Sequence, residues 1–384
     1  MEEEKPIDLF VACGEISGDI HAAELIQALL KQNPNLSIVG ITGSKLRQLP
    51  VKTFMEMESL QVFGFWDIVR FLPKLMGLFF KLRSFLLKTA PKAVLFVDYP
   101  GFNLRMQKAL RKKGFKGKLI HYICPTVWAW GKKRIHTMKN TLDLLLTIFP
   151  FETELFPPSL PTYYVKNPLL SYLEKYAYQS LKARRHFTIG IFPGSRVKEI
   201  ERNLPLQLEL AQEMIEFDPS IHIYLSVTNS VLRQKILPLV KQKSYALQKA
   251  SIFSDSSTNY DLMRSIDLAI ATSGTITLEL ALHKVPTLVN YAIKPLDLFL
   301  AQKIFRIHLD YYCIVNILAE RLIFPEFYGP NFSKAKMLPV LKELYLNAEK
   351  RKALQNDCNK VKEILESPMK AISPEKKILS LLQP

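Results

Sequence analysis

Short apolar runs alternate with longer amphipathic segments along most of the chain. The runs are rich in Val, Ile and Leu and are bounded by turn residues, which predicts buried strands. The predicted strands are 7–13, 37–41, 93–97, 119–123, 143–148, 162–165, 188–192, 222–227, 251–253, 268–271 and 287–291. Helical segments follow many of them, and the predicted helices are 20–30, 171–185, 198–216, 275–283, 333–365 and 374–382.

This alternation predicts an α/β protein of two doubly wound, Rossmann-like lobes that face a central cleft. We expect a first lobe over 1–170, a second over 187–330, and C-terminal helices over 331–384 that could pack back on the first lobe. A length of 384 residues suits two domains. Ligands of such folds bind at the carboxyl ends of the strands, so the loops there are where chemistry is expected.

The composition is that of a soluble globular protein with excess positive charge. Hydrophobic residues make up 48% and charged residues 23% of the chain, and its net charge is +17. This charge favours an acidic partner, such as nucleic acid, an anionic membrane or a phosphorylated ligand. The four cysteines have no metal-site spacing, which indicates free thiols in a reducing compartment.

The beginning of the sequence is acidic and polar, unlike the basic start and apolar core of a signal peptide. No uncharged apolar run reaches the roughly 18 residues that a transmembrane helix needs. We therefore expect a cytoplasmic location.

The positive charge is concentrated in one segment. Between Arg70 and Lys118 there are 13 Lys and Arg residues and one acid, Asp98. The overlapping segment 63–87 is apolar and aromatic, with cations at about helical spacing, which suits a helix lying on an anionic bilayer. A core helix with a basic solvent face explains the pattern equally well. The expected membrane contacts are Trp66, Phe71, Leu75 and Leu78.

Several common motifs are missing from the sequence. It has no GxGxxG, Walker A, GxSxG or HExxH pattern. It also has no Asp-x-Asp pair to hold a divalent metal on a diphosphate. We therefore expect neither a metal nor a cofactor.

Two loops of the first lobe could carry chemistry. The loop Gly14-Glu-Ile-Ser-Gly-Asp19 offers close backbone approach and the carboxylates of Glu15 and Asp19; alternatively, Ser17 or Asp19 only caps a helix. Asp98 follows a hydrophobic strand. It could be a general base, a helix cap or an ion-pair partner.

Two loops of the second lobe suit an anion. In Pro193-Gly-Ser-Arg196, backbone N–H groups at a helix start and the Arg196 guanidinium could hold a phosphate. In Ser273-Gly-Thr275, small hydroxyl residues open a helix that carries Glu279 one turn further on. Such a helix start suits a diphosphate, and a carboxylate suits the two hydroxyls of a ribose.

Seven motifs in order resemble those of the lipid-A-disaccharide synthase family. They are Cys13–Asp19, Asp98–Asn103, Pro125–Trp130, Phe149–Glu152, Pro193–Arg196, Ser273–Thr275 with Glu279, and Asn316–Ala319 followed by Pro325-Glu326. The resemblance implies an inverting, metal-independent GT-B glycosyltransferase. It implies transfer from UDP-2,3-diacylglucosamine to the 6-hydroxyl of 2,3-diacylglucosamine 1-phosphate, at the cytoplasmic face of the inner membrane. The implied partners are these two lipids and the anionic membrane surface, not nucleic acid; a homodimer is left open.

The resemblance also implies roles for residues. Asp98 would be the general base, with Glu15 as its rival, and Arg196 would stabilise the departing UDP. The other residues implied to bind substrate are Gly14, Ser17, Gly18, Asp19, Asn103, Trp128, Gly194, Ser195, Ser273, Gly274, Thr275, Glu279, Asn316 and Glu326.

The sequence departs from the family's patterns at five positions, mostly in or near the first lobe. They are Gly101, Gly131, Lys166, Asn167 and Tyr328. The acceptor side is therefore where this chain is expected to differ from its relatives. Competing interpretations are another GT-B transferase or a UDP-sugar epimerase, a nucleic-acid-binding protein, and a membrane scaffold without activity.

Overall fold

The computed structural model describes residues 6–60, 65–128, 131, 133–179, 186–227, 233–234, 236, 238, 240, 251–253, 259–293, 310–366 and 371–383, and gives only the backbone of 65–72 and 251–253. The chain divides into two compact units. The first comprises Met1–Ser171 and Ser367–Pro384, and the second comprises Tyr172–Glu366.

Each unit is built on a parallel β-sheet. The strands of the first sheet are β1 (Leu9–Cys13), β2 (Ile38–Thr42), β3 (Lys52–Glu56), β4 (Ala93–Val97), β5 (Lys118–Tyr122), β6 (Leu144–Thr147) and β7 (Thr162–Tyr164). Those of the second are β8 (Thr188–Phe192), β9 (His222–Ser226), β10 (Ser251–Phe253), β11 (Leu268–Thr272), β12 (Thr287–Tyr291) and β13 (Glu326–Tyr328). The strands β1, β2, β4, β6, β8 and β11 are buried from end to end, which explains their continuous apolar runs.

Helices follow most of the strands, as parallel connections require. In chain order they are α1 (Ile16–Gln32), α2 (Phe65–Thr89), α3 (Pro100–Lys112), α4 (Lys133–Thr141), α5 (Pro168–Lys175), α6 (Val197–Phe217), α7 (Asn259–Arg264), α8 (Thr275–Leu282), α9 (Ile314–Ala319), α10 (Lys334–Leu346), α11 (Ala348–Glu366) and α12 (Pro374–Leu382). In the part of the chain described, no helix combines the length and the apolar character needed to span a bilayer.

The strand order places the candidate loops. The first sheet runs β3-β2-β1-β4-β5-β6-β7 and the second runs β10-β9-β8-β11-β12-β13. The order reverses between β1 and β4 in the first unit and between β8 and β11 in the second. Loops leaving the two central strands of such a sheet diverge and open a crevice at the carboxyl edge, where α/β proteins bind ligands.

The predicted class, two doubly wound α/β domains, is confirmed, and so are the eleven predicted strands to within a few residues. The edge strands β3 and β13 were missed because β3 is mostly exposed and polar and β13 has only three residues. The predicted helix 333–365 is in fact two, since Asn347 ends α10 and its side chain accepts the Lys350 N–H at the start of α11.

The predicted helix 171–185 is wrong over its described part after Lys175. Residues 176–179 are irregular because they form hydrogen bonds to α7 in place of helical ones. There the Tyr176 hydroxyl donates to Asp261 at 2.8 Å and the Gln179 N–H donates to the same carboxylate at 2.7 Å. Residues 180–185 lie outside the described part.

The C-terminal residues return to the first unit. Ile372 pairs with Val165 beyond the end of β7, and α12 packs against α1. Ile378 and Leu382 on α12 are buried in the core of that unit. By contrast, α10 and α11 belong to the second unit.

Candidate functional site

The loops after β1 and β4 lie side by side at the carboxyl edge of the first sheet. Cys13 pairs with Val97, so Gly14 and Asp98 leave the sheet as neighbours. A Cβ on Gly14 would lie 2.2 Å from Cδ1 of Tyr99, so the aromatic ring occupies the space of a side chain at this position. Only glycine allows the two loops to approach this closely.

Asp98 adopts a backbone conformation that few side chains favour. Asp98 and Tyr99 both have φ of +48°, in the left-handed region, where Asp is tolerated better than bulky residues. The conformation is held by hydrogen bonds: the Asp98 N–H donates to the Tyr122 carbonyl at 3.0 Å, and Asn103 Nδ2 donates to the Asp98 carbonyl at 2.7 Å. A strained backbone conformation that neighbouring groups hold in place is typical of functional loops.

The Asp98 carboxyl is electrostatically prepared to accept a proton near neutrality. Burial raises its pKa to about 6, and the negative charge of Glu15 adds to the rise, while the Tyr99 N–H opposes it. Glu15 itself is exposed at the N-cap of α1. Two carboxylates, one half-buried and one exposed, therefore share this edge. Such a pair suits acid–base chemistry.

The other residues of the Gly14–Asp19 loop have different surroundings. Ser17 is exposed. Gly18 is buried, and a Cβ on it would lie 3.6 Å from the Val97 carbonyl oxygen. Neither Ser17 nor Asp19 caps α1, because the helix begins after Glu15.

The Asp19 side chain points into the protein, toward the turn that follows β2. It is buried, and its carboxylate accepts the N–H groups of Gly43, Lys45 and Leu46 at 2.9, 2.7 and 3.2 Å. Its carboxylate therefore fixes the turn after β2, and the expected contact of Asp19 with substrate stays a prediction. Asn103 is likewise buried, and its side-chain amide stabilises the Asp98 loop by donating to the Asp98 carbonyl.

The Trp128 segment lies at the carboxyl side of β5. The Trp128 ring is half-buried and meets Phe151 edge-on at 5.9 Å between centroids. Nearby Glu152 is fully buried, and burial raises the pKa of its carboxyl to about 8. A hydrogen bond from the Phe149 N–H opposes this rise. Trp130, part of the same predicted motif, lies outside the described residues.

The loops after β8 and β11 form the corresponding edge of the second unit. Phe192 pairs with Ala271, so the Pro193–Arg196 and Ser273–Thr275 loops emerge side by side. Gly194 has φ of +109°, and a Cβ there would lie 3.1 Å from Oε2 of Glu199. Ser195 is exposed.

Arg196 presents its charge at this edge. It is the N-cap residue of α6, its side chain is 72% exposed, and Nη1 lies 2.8 Å from Oε1 of Glu199. On the neighbouring loop, Ser273 is half-buried while Gly274 and Thr275 are exposed at the start of α8. A guanidinium beside two helix N-termini can bind an oligophosphate.

Glu279 lies one turn inside α8 in a buried environment. Burial raises the pKa of its carboxyl to about 7, and a hydrogen bond from the Tyr260 hydroxyl opposes the rise. His283, four residues on, receives the Tyr178 hydroxyl at 2.9 Å and stacks on Tyr260. Tyr260 therefore positions Glu279, a contact that no spacing in the sequence indicates.

A model of the lipid-A-disaccharide synthetase family matches residues 9–377. The chain belongs to this family. Its relatives include the lipid-A-disaccharide synthase of Chlamydia muridarum, 38% identical over 327 residues that cover 83% of this chain and 53% of the relative. The synthase of Nitrosococcus oceani is 31% identical over 363 residues, 92% of this chain and 91% of the relative. The chain thus spans about half the length of the chlamydial relatives.

The fold also resembles solved structures of UDP-sugar enzymes. The UDP-GlcNAc 2-epimerase from Neisseria meningitidis bound to UDP-GlcNAc gives a TM-score of 0.64 at 12% identity, covering 97% of this chain and 99% of that one. At such low identity the likeness establishes the fold alone. The synthetase family member described here therefore has two Rossmann-like domains of the GT-B class.

Two residues that the family resemblance places in the donor site turn inward. Asn316 is fully buried: its Oδ1 accepts the N–H groups of Ile323 and Phe324, and its Nδ2 donates to the Phe324 carbonyl at 2.8 Å. The Glu326 carboxylate accepts the N–H groups of Tyr312 and Cys313. Both side chains organise the segment around α9, and their expected contact with substrate stays a prediction.

The five positions that depart from the family's patterns have different surroundings. Gly101 and Lys166 are exposed, and Asn167 is buried, where it bonds to the Ile148 carbonyl and the Leu169 N–H. Gly131 has φ of +84° and lies against the side chain of Arg134, while the Tyr328 ring lies 4.3 Å from that of Tyr312. Of the five, Gly101 lies within the Asp98–Asn103 motif, and the other four lie outside both that motif and Pro193–Arg196.

Proposed function

We propose that this chain carries the lipid-A-disaccharide synthase reaction. The 6-hydroxyl of 2,3-diacylglucosamine 1-phosphate attacks the anomeric carbon of UDP-2,3-diacylglucosamine. A carbon–oxygen bond forms there, the bond to the diphosphate breaks, and UDP leaves with inversion. The hydroxyl proton passes to an enzyme carboxylate. The observation that carries this proposal is the family match over residues 9–377.

The acceptor is assigned to the first unit because its carboxyl edge holds the basic group. Asp98 has a pKa of about 6, so it is ionised at neutral pH yet a stronger base than an ordinary aspartate. Glu15, exposed beside it, is the alternative base. Gly14 and Ser17 line the same edge, and the half-buried ring of Trp128 offers apolar surface.

The donor is assigned to the second unit because its carboxyl edge holds the cationic group. Arg196 and the N–H groups at the start of α8 would take the diphosphate, whose negative charge grows as the bond breaks. Ser273 and Thr275 add hydroxyl donors, and Gly194 and Gly274 let the backbone approach closely. The Glu279 carboxylate would accept the ribose hydroxyls. These groups could neutralise the leaving group without a metal ion.

A turnover assay tests this function. The protein is mixed with both lipid substrates in excess EDTA, and UDP release is measured with and without the acceptor. We expect release that depends on the acceptor and is unchanged by EDTA. UDP binding without turnover would contradict the proposed acceptor, and release abolished by EDTA would contradict metal independence. Acceptor-independent conversion of the donor would favour the epimerase interpretation.

Membrane contact is proposed for the exposed face of α2. Residues 65–87 of the segment are helical as predicted. Leu75 and Leu78 are half-buried and pack against the core, and their assignment as membrane contacts stays a prediction. The side chains of Trp66 and Phe71 lie outside the described residues. Large exposed apolar groups on α2 are instead Met76 at 50% and Phe80 at 46%, and Arg83 lies over the Phe80 ring at 4.9 Å.

The variant Met76→Ser/Phe80→Ser is expected to bind anionic vesicles at least fivefold more weakly, because two apolar groups beside cations are lost. Flotation with phosphatidylglycerol-containing vesicles measures this. The control is Leu322→Ser/Leu346→Ser, which removes from the second unit two leucines that are more exposed than Met76 and Phe80. Equal binding by both variants would show that the Met76 and Phe80 surface is not the membrane contact.

A further inference from the structure

Four polar side chains are buried together behind the phosphate-binding edge of the second unit. They are Asn203 and Gln207 on α6, Thr272 at the end of β11 and Asn290 near the end of β12, each at most 2% exposed. We call them the amide cluster. Buried amides are costly unless they are hydrogen-bonded, so this position calls for a reason other than packing.

The cluster joins α6 to β12 through two side-chain amides. Asn290 Nδ2 donates to Asn203 Oδ1 at 2.9 Å, and the Ala292 N–H donates to the same oxygen at 2.8 Å. Asn203 Nδ2 in turn donates to the Glu199 carbonyl at 2.8 Å. Asn203 therefore ties the first turns of α6 to the end of a strand almost 90 residues further along the chain.

Gln207 extends the cluster to β11. Its Nε2 donates to Asn290 Oδ1 at 2.9 Å and lies 3.3 Å from Thr272 Oγ1. Its Oε1 is buried and has no hydrogen-bond partner among the described residues. An unpaired buried amide oxygen costs folding free energy. Gln207 thus leaves one amide oxygen unpaired while its NH2 group satisfies Asn290 and Thr272.

The cluster is continuous with both phosphate-binding loops. The Asn290 carbonyl accepts the Ser273 N–H at 2.9 Å, which anchors the Ser273–Thr275 loop. On the other side, Glu199 binds the Arg196 guanidinium, and its carbonyl accepts from Asn203. A Cβ on Gly194 would lie 3.8 Å from the Thr272 methyl, so the cluster also underlies that glycine.

We propose that the amide cluster is a positioning device that holds the Pro193–Arg196 and Ser273–Thr275 loops in register for the diphosphate of a nucleotide donor. The proposal rests on the proposed function of this edge. Donors fixed in advance bind the charge that develops on a leaving group without the cost of reorganisation. The four side chains act through Arg196 and Ser273; they do not touch the ligand.

The test is UDP affinity in Gln207→Met, a substitution that keeps the length of the side chain and leaves Asn290 Oδ1 without its donor. We expect the Kd for UDP, measured by calorimetry, to rise about tenfold, and the donor KM with it, while the acceptor KM stays within twofold. The control is Thr287→Val, which removes a buried hydroxyl that bonds to the Val285 carbonyl at the opposite end of β12. This control is expected to lower the melting temperature and to leave the Kd within twofold.

A second arm separates positioning from a general loss of stability. If the cluster acts through Arg196, adding Gln207→Met to Arg196→Ala should change the Kd less than it does alone. Full additivity, or a Kd for Gln207→Met within twofold of the unaltered protein, overturns the proposal. If Gln207→Met does not fold, Thr272→Val replaces it, with an expected threefold rise in Kd.

The UDP-binding and turnover measurements also distinguish a failure of this proposal from a failure of the proposed function. UDP binding is measured without acceptor, so binding without turnover would overturn the function and leave the cluster testable. Turnover by the unaltered protein together with unchanged UDP affinity in Gln207→Met would overturn the cluster alone. A protein that binds no UDP would overturn both.

Discussion

The variant Arg196→Ala is expected to lower kcat/KM for glycosyl transfer by about a thousandfold while the protein remains folded. The loss follows from the chemistry of the leaving group, since removing one donor to a developing negative charge typically costs roughly 10²–10³ in rate, and removing a catalytic arginine up to about 10⁵. Folding should be spared because the side chain is 72% exposed and its ion pair with Glu199 lies at the surface of α6.

Its control is Arg202→Ala, which removes another exposed arginine from the same helix. The two variants should have melting temperatures within about a degree of each other, but only Arg196→Ala should lose turnover and UDP affinity. Turnover by Arg196→Ala near that of the unaltered protein would refute the donor site assigned to the second unit.

The variant Asp98→Asn is expected to lower kcat by about 10³-fold, because a general base contributes roughly 10²–10⁴. Asparagine tolerates the left-handed conformation at φ of +48°, so the loop should keep its shape. Folding raises the pKa of Asp98 to about 6, so its ionised form destabilises the folded state as pH rises through that value. The melting temperature of Asp98→Asn at pH 8 should therefore equal or exceed that of the unaltered protein.

The pH profile decides between the two candidate bases. If Asp98 is the base, kcat/KM of the unaltered protein should fall about tenfold per pH unit below pH 6, as the carboxylate is protonated. Because the charge of Glu15 helps to raise the pKa of Asp98, Glu15→Gln should move this acid limb to lower pH and retain activity. A rate loss of about 10³ in Glu15→Gln would instead make Glu15 the base. The matched control is Glu56→Gln, an exposed residue of β3.

The architecture was predictable from the sequence because it depends on short-range patterns. Continuous apolar runs such as 93–97 and 188–192 identify buried parallel strands, and the residues directly after them must lie at the carboxyl edge of a sheet. Asp98 and Arg196 could therefore be placed at the two edges before any contact was known. The motif order also sufficed to indicate the family, which the match over 9–377 confirms.

The direction of each polar side chain was decided only by tertiary structure. Asp19, Asn316 and Glu326 belong to motifs that suggest ligand contact, yet each accepts backbone N–H groups of its own unit. A carboxylate that caps a turn and one that holds a substrate have the same local sequence. The partners of Asp19 lie 24 to 27 residues away, where no local pattern reaches.

The sequence by itself thus determined the two doubly wound sheets, the loops at their carboxyl edges and the family. Tertiary structure alone decided that Glu15 raises the pKa of Asp98, that Gln207 meets Asn290, and that Met76 and Phe80, not Leu75 and Leu78, are exposed on α2. The reason is physical. Strand and helix periodicity follow from neighbouring residues, whereas burial, charge coupling and hydrogen-bond partners depend on residues that only the fold brings together.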